Sequence, residues 1–209
     1  MKEILKFKNL LFLSIFILLS SCGQTIDVDD EEKYLINLSS LGGITSYKGI
    51  PYTGKIVKYV DDEKTQLEWK KTFEEGKLDG LSEEYNKNGQ LEESVTYKEG
   101  EEEEEVKYTY YENGQLEKSV TYKDGKKDGL FESYHENGQL NYKTTYKDSV
   151  IVDGLFKGYH ENGQLRWKGT VKDGKNDGLS EQYHKNGQLE FKETYRDGVI
   201  EDGLFKGYH

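Results

Sequence analysis

The stretch Asp153-Gly154-Leu155-Phe156-Lys157-Gly158-Tyr159-His160-Glu161-Asn162-Gly163-Gln164-Leu165-Arg166-Trp167-Lys168-Gly169-Thr170-Val171 decides the fold. Two alternating runs flank Asn162-Gly163, a dipeptide that supplies the positive φ angles of a tight hairpin turn. Period-two reading puts Leu155, Lys157 and Tyr159 on one face of the first strand, with Phe156, Gly158 and His160 on the other. In the second strand Leu165, Trp167, Gly169 and Val171 point one way, and Arg166, Lys168 and Thr170 the opposite way. The pattern predicts a β-hairpin.

Working outward, Asn-Gly-Gln-Leu recurs at Asn88, Asn113, Asn137, Asn162 and Asn186, and Gln66-Leu67 marks a degenerate earlier copy. The spacing alternates between 25 and 24 residues, so the genetic unit is a pair of hairpins. Asp153 to His160 and Asp202 to His209 are identical octapeptides, as duplication of that pair requires. Aligned copies give a tyrosine column of Tyr59, Tyr85, Tyr110, Tyr134, Tyr159, Tyr183 and Tyr208. A second column runs Phe73, Tyr97, Tyr122, Tyr146, Val171 and Tyr195, and a leucine column from Leu67 to Leu189 completes one apolar, aromatic face. The expected fold is all-β: an elongated antiparallel meander of about thirteen strands in about six to seven tandem hairpins, a single-sheet solenoid in which each hairpin leans on its neighbours.

Composition agrees. One Cys, one Met and one Pro exclude a disulfide framework, a cysteine zinc site and a proline-rich linker. Large aliphatic residues are sparse, and the 17 Tyr and 23 Gly take their place as strand and turn formers. With 40 acidic against 29 basic residues, the chain lacks the clustered cations that nucleic acid needs, so nucleic acid is excluded as a partner.

From about Gly54 to His209, stretches such as Asp153 to Leu165, followed by Trp167 and the turn at Asp173-Gly174, resemble the MORN repeat variant of bacterial proteins often labelled antitoxin-like. Tyr52 to Val57 is similar to an opening segment common in those proteins. The resemblance implies a hairpin sheet and carries no catalytic motif. Glu101 to Glu105 departs from it, standing where a glycine-containing turn is usual and reading as a solvated acidic turn.

Residues 1–21 read as a lipoprotein signal peptide. Lys2, Lys6 and Lys8 precede the apolar run Leu10 to Leu19, which is too short to span a bilayer. Leu19-Ser20-Ser21-Cys22 resembles a bacterial lipobox, which makes Cys22 the lipid attachment site and the membrane a partner through that anchor. The alternative is an ordinary secretion signal with a chance cysteine. Residues 22–43, with Asp27, Asp29, Asp30, Glu31 and Glu32, read as an acidic tether, and residues 44–209 as the repeat domain.

Chemistry is hard to find. His135, His160, His184 and His209 share one repeat position, and successive hairpins hold them roughly 9.6 Å apart, too far for two rings to share a metal ion. The aspartates at Asp128, Asp153, Asp177 and Asp202 precede turn glycines and read as turn formers. No catalytic residue, metal or cofactor is expected. The candidate interaction face comprises Tyr85, Tyr110, Tyr134, Tyr159, Tyr183, Tyr208 and Trp167, rings that either bind a partner or form the sheet's own core. Leu204, Phe205, Lys206, Gly207, Tyr208 and His209 would form a first strand with no second, a candidate for edge-to-edge homodimer pairing or for an added partner strand.

The function expected is that of a lipid-anchored protein of the bacterial cell envelope, in the outer membrane, serving as a non-catalytic scaffold for a protein or surface partner. An antitoxin or immunity protein that holds a toxin on the sheet is the alternative. An envelope carbohydrate hydrolase is a third reading, from another class.

Overall fold

In a computed structural model, which describes residues 24–28, 36–38, 44–47, 49–201 and 206–207, the described residues are all strand, turn and loop. The chain divides into two compact units, Met1–Glu103 and Glu104–His209.

The first unit begins with β1 (Gln24–Asp27), β2 (Ile36–Leu38), β3 (Thr45–Tyr47) and β4 (Ile50–Pro51). It continues through β5 (Gly54–Tyr59), β6 (Leu67–Glu74), β7 (Lys77–Leu78), β8 (Gly80–Tyr85) and β9 (Leu91–Lys98). Strands β5, β6, β8 and β9 form the antiparallel meander, and β2, β3 and β4 a small separate sheet. Strand β1 corrects the expected tether. It pairs in parallel with β5, register Ile26↔Ile56, and Ile26 is 1% exposed. An isoleucine among acids is what makes the difference: with Tyr52 and Ile56 it forms a buried cluster against which Tyr47, Trp69 and Phe73 pack. Strands β3 and β4 add to this cap. The Thr45 amide donates to the Gly76 carbonyl, and the Gly76 amide donates to that of Tyr52.

Strand β10 (Glu101–Tyr110) leads into the second unit. Glu101 to Glu105 is strand and not the expected turn, because Glu99 and Gly100 already make the reversal, at φ +53° and +91°. The meander then runs through β11 (Leu116–Lys123), β12 (Lys126–Tyr134), β13 (Leu140–Lys147), β14 (Val150–Ile151) and β15 (Gly154–Tyr159). It ends with β16 (Leu165–Lys172), β17 (Lys175–Asn176), β18 (Gly178–Tyr183), β19 (Leu189–Arg196), β20 (Val199–Ile200) and β21 (Lys206–Gly207). The short strands β7, β14, β17 and β20 are the far sides of turns between hairpins, and together with β1 to β4 they take the described strands beyond thirteen.

The Asn-Gly turns do not take the geometry expected of them, and the opposite turns do. At the Asn-Gly turns only glycine has positive φ, for example +80° at Gly138. The Gly138 amide donates to the His135 carbonyl and the His135 amide to that of Gln139, so this is a type I turn closed by a bulge. Asparagine contributes through its side chain instead, Asn137 Oδ1 accepting from the Gln139 amide at 3.0 Å. Both central residues are left-handed at the opposite turns, as in Asp173 (+50°) and Gly174 (+73°), which is the type I′ geometry.

A second bulge reassigns the faces. Gly158 pairs with Trp167 but Tyr159 with Leu165, so Arg166 is an extra residue, and the same shift recurs in every full hairpin of the meander. Phe156, Gly158, Trp167, Gly169 and Val171 therefore lie on one face, called A here. Leu155, Lys157, Tyr159 and Leu165 lie on the other, face B. The expected single aromatic face is corrected: Trp167 and the tyrosine column are on opposite sides. Residues at the Arg166 position turn toward face A, where Glu68 pairs with Lys58 at 2.8 Å and Glu190 accepts from Gln182 at 3.1 Å.

Candidate functional site

On face A, Val95, Val120, Phe131 and Val171 are all less than a tenth exposed. In the second unit its rings join into one cluster. Phe131 stacks on Tyr142 at 5.2 Å, Tyr142 meets Trp167 at 6.0 Å, and Phe156 meets Trp167 edge-on at 5.0 Å. Gly158 makes room for this, since a Cβ built there would lie 2.3 Å from the indole. Beyond Trp167 the face opens into a hollow of about 250 Å³, walled by Trp167, Phe191 and Tyr195 and floored by Gly169 and Ser180. The position of Gly169 is held in other copies by Lys71, Val95, Val120, Thr144 and Glu193, all with larger side chains.

Face B carries the tyrosine column and a ladder of charge. Tyr85, Tyr134 and Tyr183 are half-buried, and each hydroxyl donates to the carboxylate two residues earlier, Glu83, Glu132 and Glu181. Burial, followed by these carboxylates, raises the phenol pKa of Tyr85 and Tyr134, and burial raises that of Tyr110. Lys70 pairs with Glu83 and Lys168 with Glu181 across neighbouring strands. Leu81, Leu130, Leu155 and Leu179 of this face are exposed.

The ends of the hairpins bind each hairpin to the next. His135 Nε2 lies 2.8 Å from the Tyr159 carbonyl and His160 Nε2 2.8 Å from that of Tyr183. A carbonyl only accepts, so in each ring Nε2 carries the proton and is spent on this bond. The Tyr111 hydroxyl does the same for the Tyr134 carbonyl. Asn113, Asn137 and Asn162 donate from Nδ2 to the carbonyls of Glu136, Glu161 and Lys185. At the other end Asp79, Asp128, Asp153 and Asp177 accept the amides of Glu99, Asp148, Asp173 and Asp197. These aspartates cap the following hairpin's turn rather than their own. Among the described residues no group of three His, Cys, Asp or Glu is arranged to hold a metal ion.

Of the residues singled out in the sequence, the structure places Tyr85, Tyr110, Tyr134, Tyr159 and Tyr183 on face B and Trp167 on face A. Lys206 and Gly207 form β21, paired with Lys192 and Phe191. Cys22, Leu204, Phe205, Tyr208 and His209 lie outside the described residues. The cluster of Phe131, Tyr142 and Phe156 with Trp167, and Phe191 beside it, were missed. The available signal was a small residue, Gly158, facing a large one, Trp167, across the hairpin.

Face, bulge and paired turns together define a tandem β-hairpin repeat protein. The MORN repeat variant model matches residues 78–99, 106–124, 127–148, 152–173 and 176–197, about half of the chain, and the protein belongs to that family. No curated protein matches the chain.

Proposed function

We propose that the protein is a lipid-anchored scaffold of the bacterial envelope, non-catalytic, that holds a protein partner on the aromatic cluster of face A. The single observation that supports this is the connected run of rings from Phe131 to Trp167, which ends at a hollow floored by Gly169. Half-buried aromatic rings around a small socket are the usual anchor points of protein interfaces. The anchor at Cys22 rests on the lipobox-like Leu19 to Cys22. An acyl chain there would hold an acidic body at a membrane it does not otherwise attract.

The test uses full-length protein in intact cells, with a photocrosslinking residue at position 142 or 191. Crosslinks to one protein that disappear with Gly169→Val, which fills the hollow with the residue found in other copies, support the reading. Crosslinks indifferent to Gly169→Val exclude the hollow as the anchor point. Cys22→Ala should release the protein from the membrane fraction, and acyl labelling that survives Cys22→Ala would refute the anchor.

A further inference from the structure

The charge ladder of face B breaks at one point. Across neighbouring strands the register runs Glu132↔Lys143, Lys143↔Lys157, Lys157↔Lys168 and Lys168↔Glu181. Three lysines thus stand side by side in the middle of a sheet. The position of Lys157 is occupied in other hairpins by Glu83, Glu132 and Glu181, two of which pair with a lysine there. Like charges directly opposite each other are destabilising. Lys168 is held by Glu181, and the Glu132 carboxylate takes the Tyr134 hydroxyl. The side chains of Lys143 and Lys157 form no ion pair or hydrogen bond among the described residues, and both residues are exposed. A residue that breaks the local rule and weakens the sheet marks a place where use outweighs stability.

The surroundings say what that use is. Lys143 and Lys157 line a hollow of about 530 Å³ together with Leu130, Leu155, Val152 and Tyr159. Leu155 is 62% exposed, and Leu130 and Val152 are close to half exposed. Asp153 is the one acid in this wall, and its Oδ1 accepts the Asp173 amide at 2.7 Å. We infer that this hollow on face B is a binding site for an acidic peptide segment, with a carboxylate between Lys143 and Lys157 and the neighbouring apolar side chains on Leu130, Leu155 and Val152. A flat anionic membrane fits less well, because Glu132 and Glu181 flank the lysines and the chain carries a net charge of −11. A narrow extended segment places its charge between those acids. The site is independent of the face A cluster. The register repeats at Lys192↔Lys206, within the identical octapeptide, so the test must remove both lysines.

The experiment measures fluorescence polarisation of a labelled, end-capped hexapeptide alternating Leu and Glu against the full chain, its Lys157→Glu/Lys206→Glu variant, and a matched Leu–Gln peptide. The expected result is binding that weakens with salt, falls by roughly tenfold or more in the variant, and is absent for the Leu–Gln peptide. The variant should melt at a higher temperature than the parent, since Glu restores the ladder at position 157; this separates lost binding from lost folding. Equal binding by the variant, or by the Leu–Gln peptide, overturns the proposal. So does preference for vesicles of phosphatidylserine and phosphatidylcholine over the Leu–Glu peptide.

Discussion

Gly158 and Trp167 show how single residues set the faces. Gly158 is buried and has ordinary strand geometry, so its role is spatial and not conformational: the indole covers the place a Cβ would occupy, at 2.3 to 2.5 Å. Gly158→Ala must push the ring away from Phe156 and Tyr142, and overpacking of this kind costs about 1–3 kcal/mol. Chemical denaturation should show that loss together with altered tryptophan emission. Unchanged emission would mean that the ring does not rest on Gly158. The same residue explains a misreading. Strict alternation places Leu165 beside Trp167, yet the bulge admits Arg166 as an extra residue and sends Leu165 to the other face. Nothing in a single copy announces a bulge, because each strand taken alone alternates correctly. The alternation within each strand was legible; the pairing of Gly158 with Trp167 across the two was not.

At the level of elements, the hairpins were legible from the repeated Asn-Gly-Gln-Leu, whereas the joints between hairpins were not. A hydrogen bond from His160 to the Tyr183 carbonyl spans 23 residues, and no local pattern encodes it. Removing that bond by His160→Ala should cost about 1 kcal/mol, the ordinary value for one half-buried hydrogen bond, measured as a shift of the denaturation midpoint. The aspartate joints add a pH dependence. Amide donation from Glu99, then the Lys98 ammonium, lowers the Asp79 pKa below its ordinary 3.8, and the Lys147 ammonium, then the Asp148 amide, does so for Asp128. A carboxyl whose pKa is depressed on folding binds protons more readily when unfolded. Its stabilisation is therefore present above pH 3.8 and is lost as pH falls through the lower, folded value. Asp128→Asn should lower the melting temperature near neutral pH and narrow its gap to the parent in acid. A gap that stays constant down to the acid limit would remove Asp128 from the account.

On the scale of the whole molecule, repeat proteins need caps, because the first repeat otherwise exposes the face that later repeats bury against one another. The parallel strand β1 does this for the first unit, and it lay hidden in the sequence because acids surround its one decisive residue, Ile26. The two tryptophans of the chain make a test possible. Trp69 packs against the Ile26, Tyr52 and Ile56 cluster of the first unit, and Trp167 sits among Tyr142 and Phe156 in the second. Ile26→Ala removes a fully buried aliphatic side chain, which costs about 2–4 kcal/mol where the site cannot collapse. Placed in Trp69→Phe and Trp167→Phe backgrounds, the same substitution can be followed from either unit by fluorescence during denaturation. In a quasi-one-dimensional array, energy lost at a cap is felt first by its immediate neighbours. The transition reported by Trp69 should therefore move to lower denaturant by more than the transition reported by Trp167. Equal shifts at both tryptophans would show that the array unfolds as one cooperative body, and no shift at Trp69 would show that β1 is not a cap.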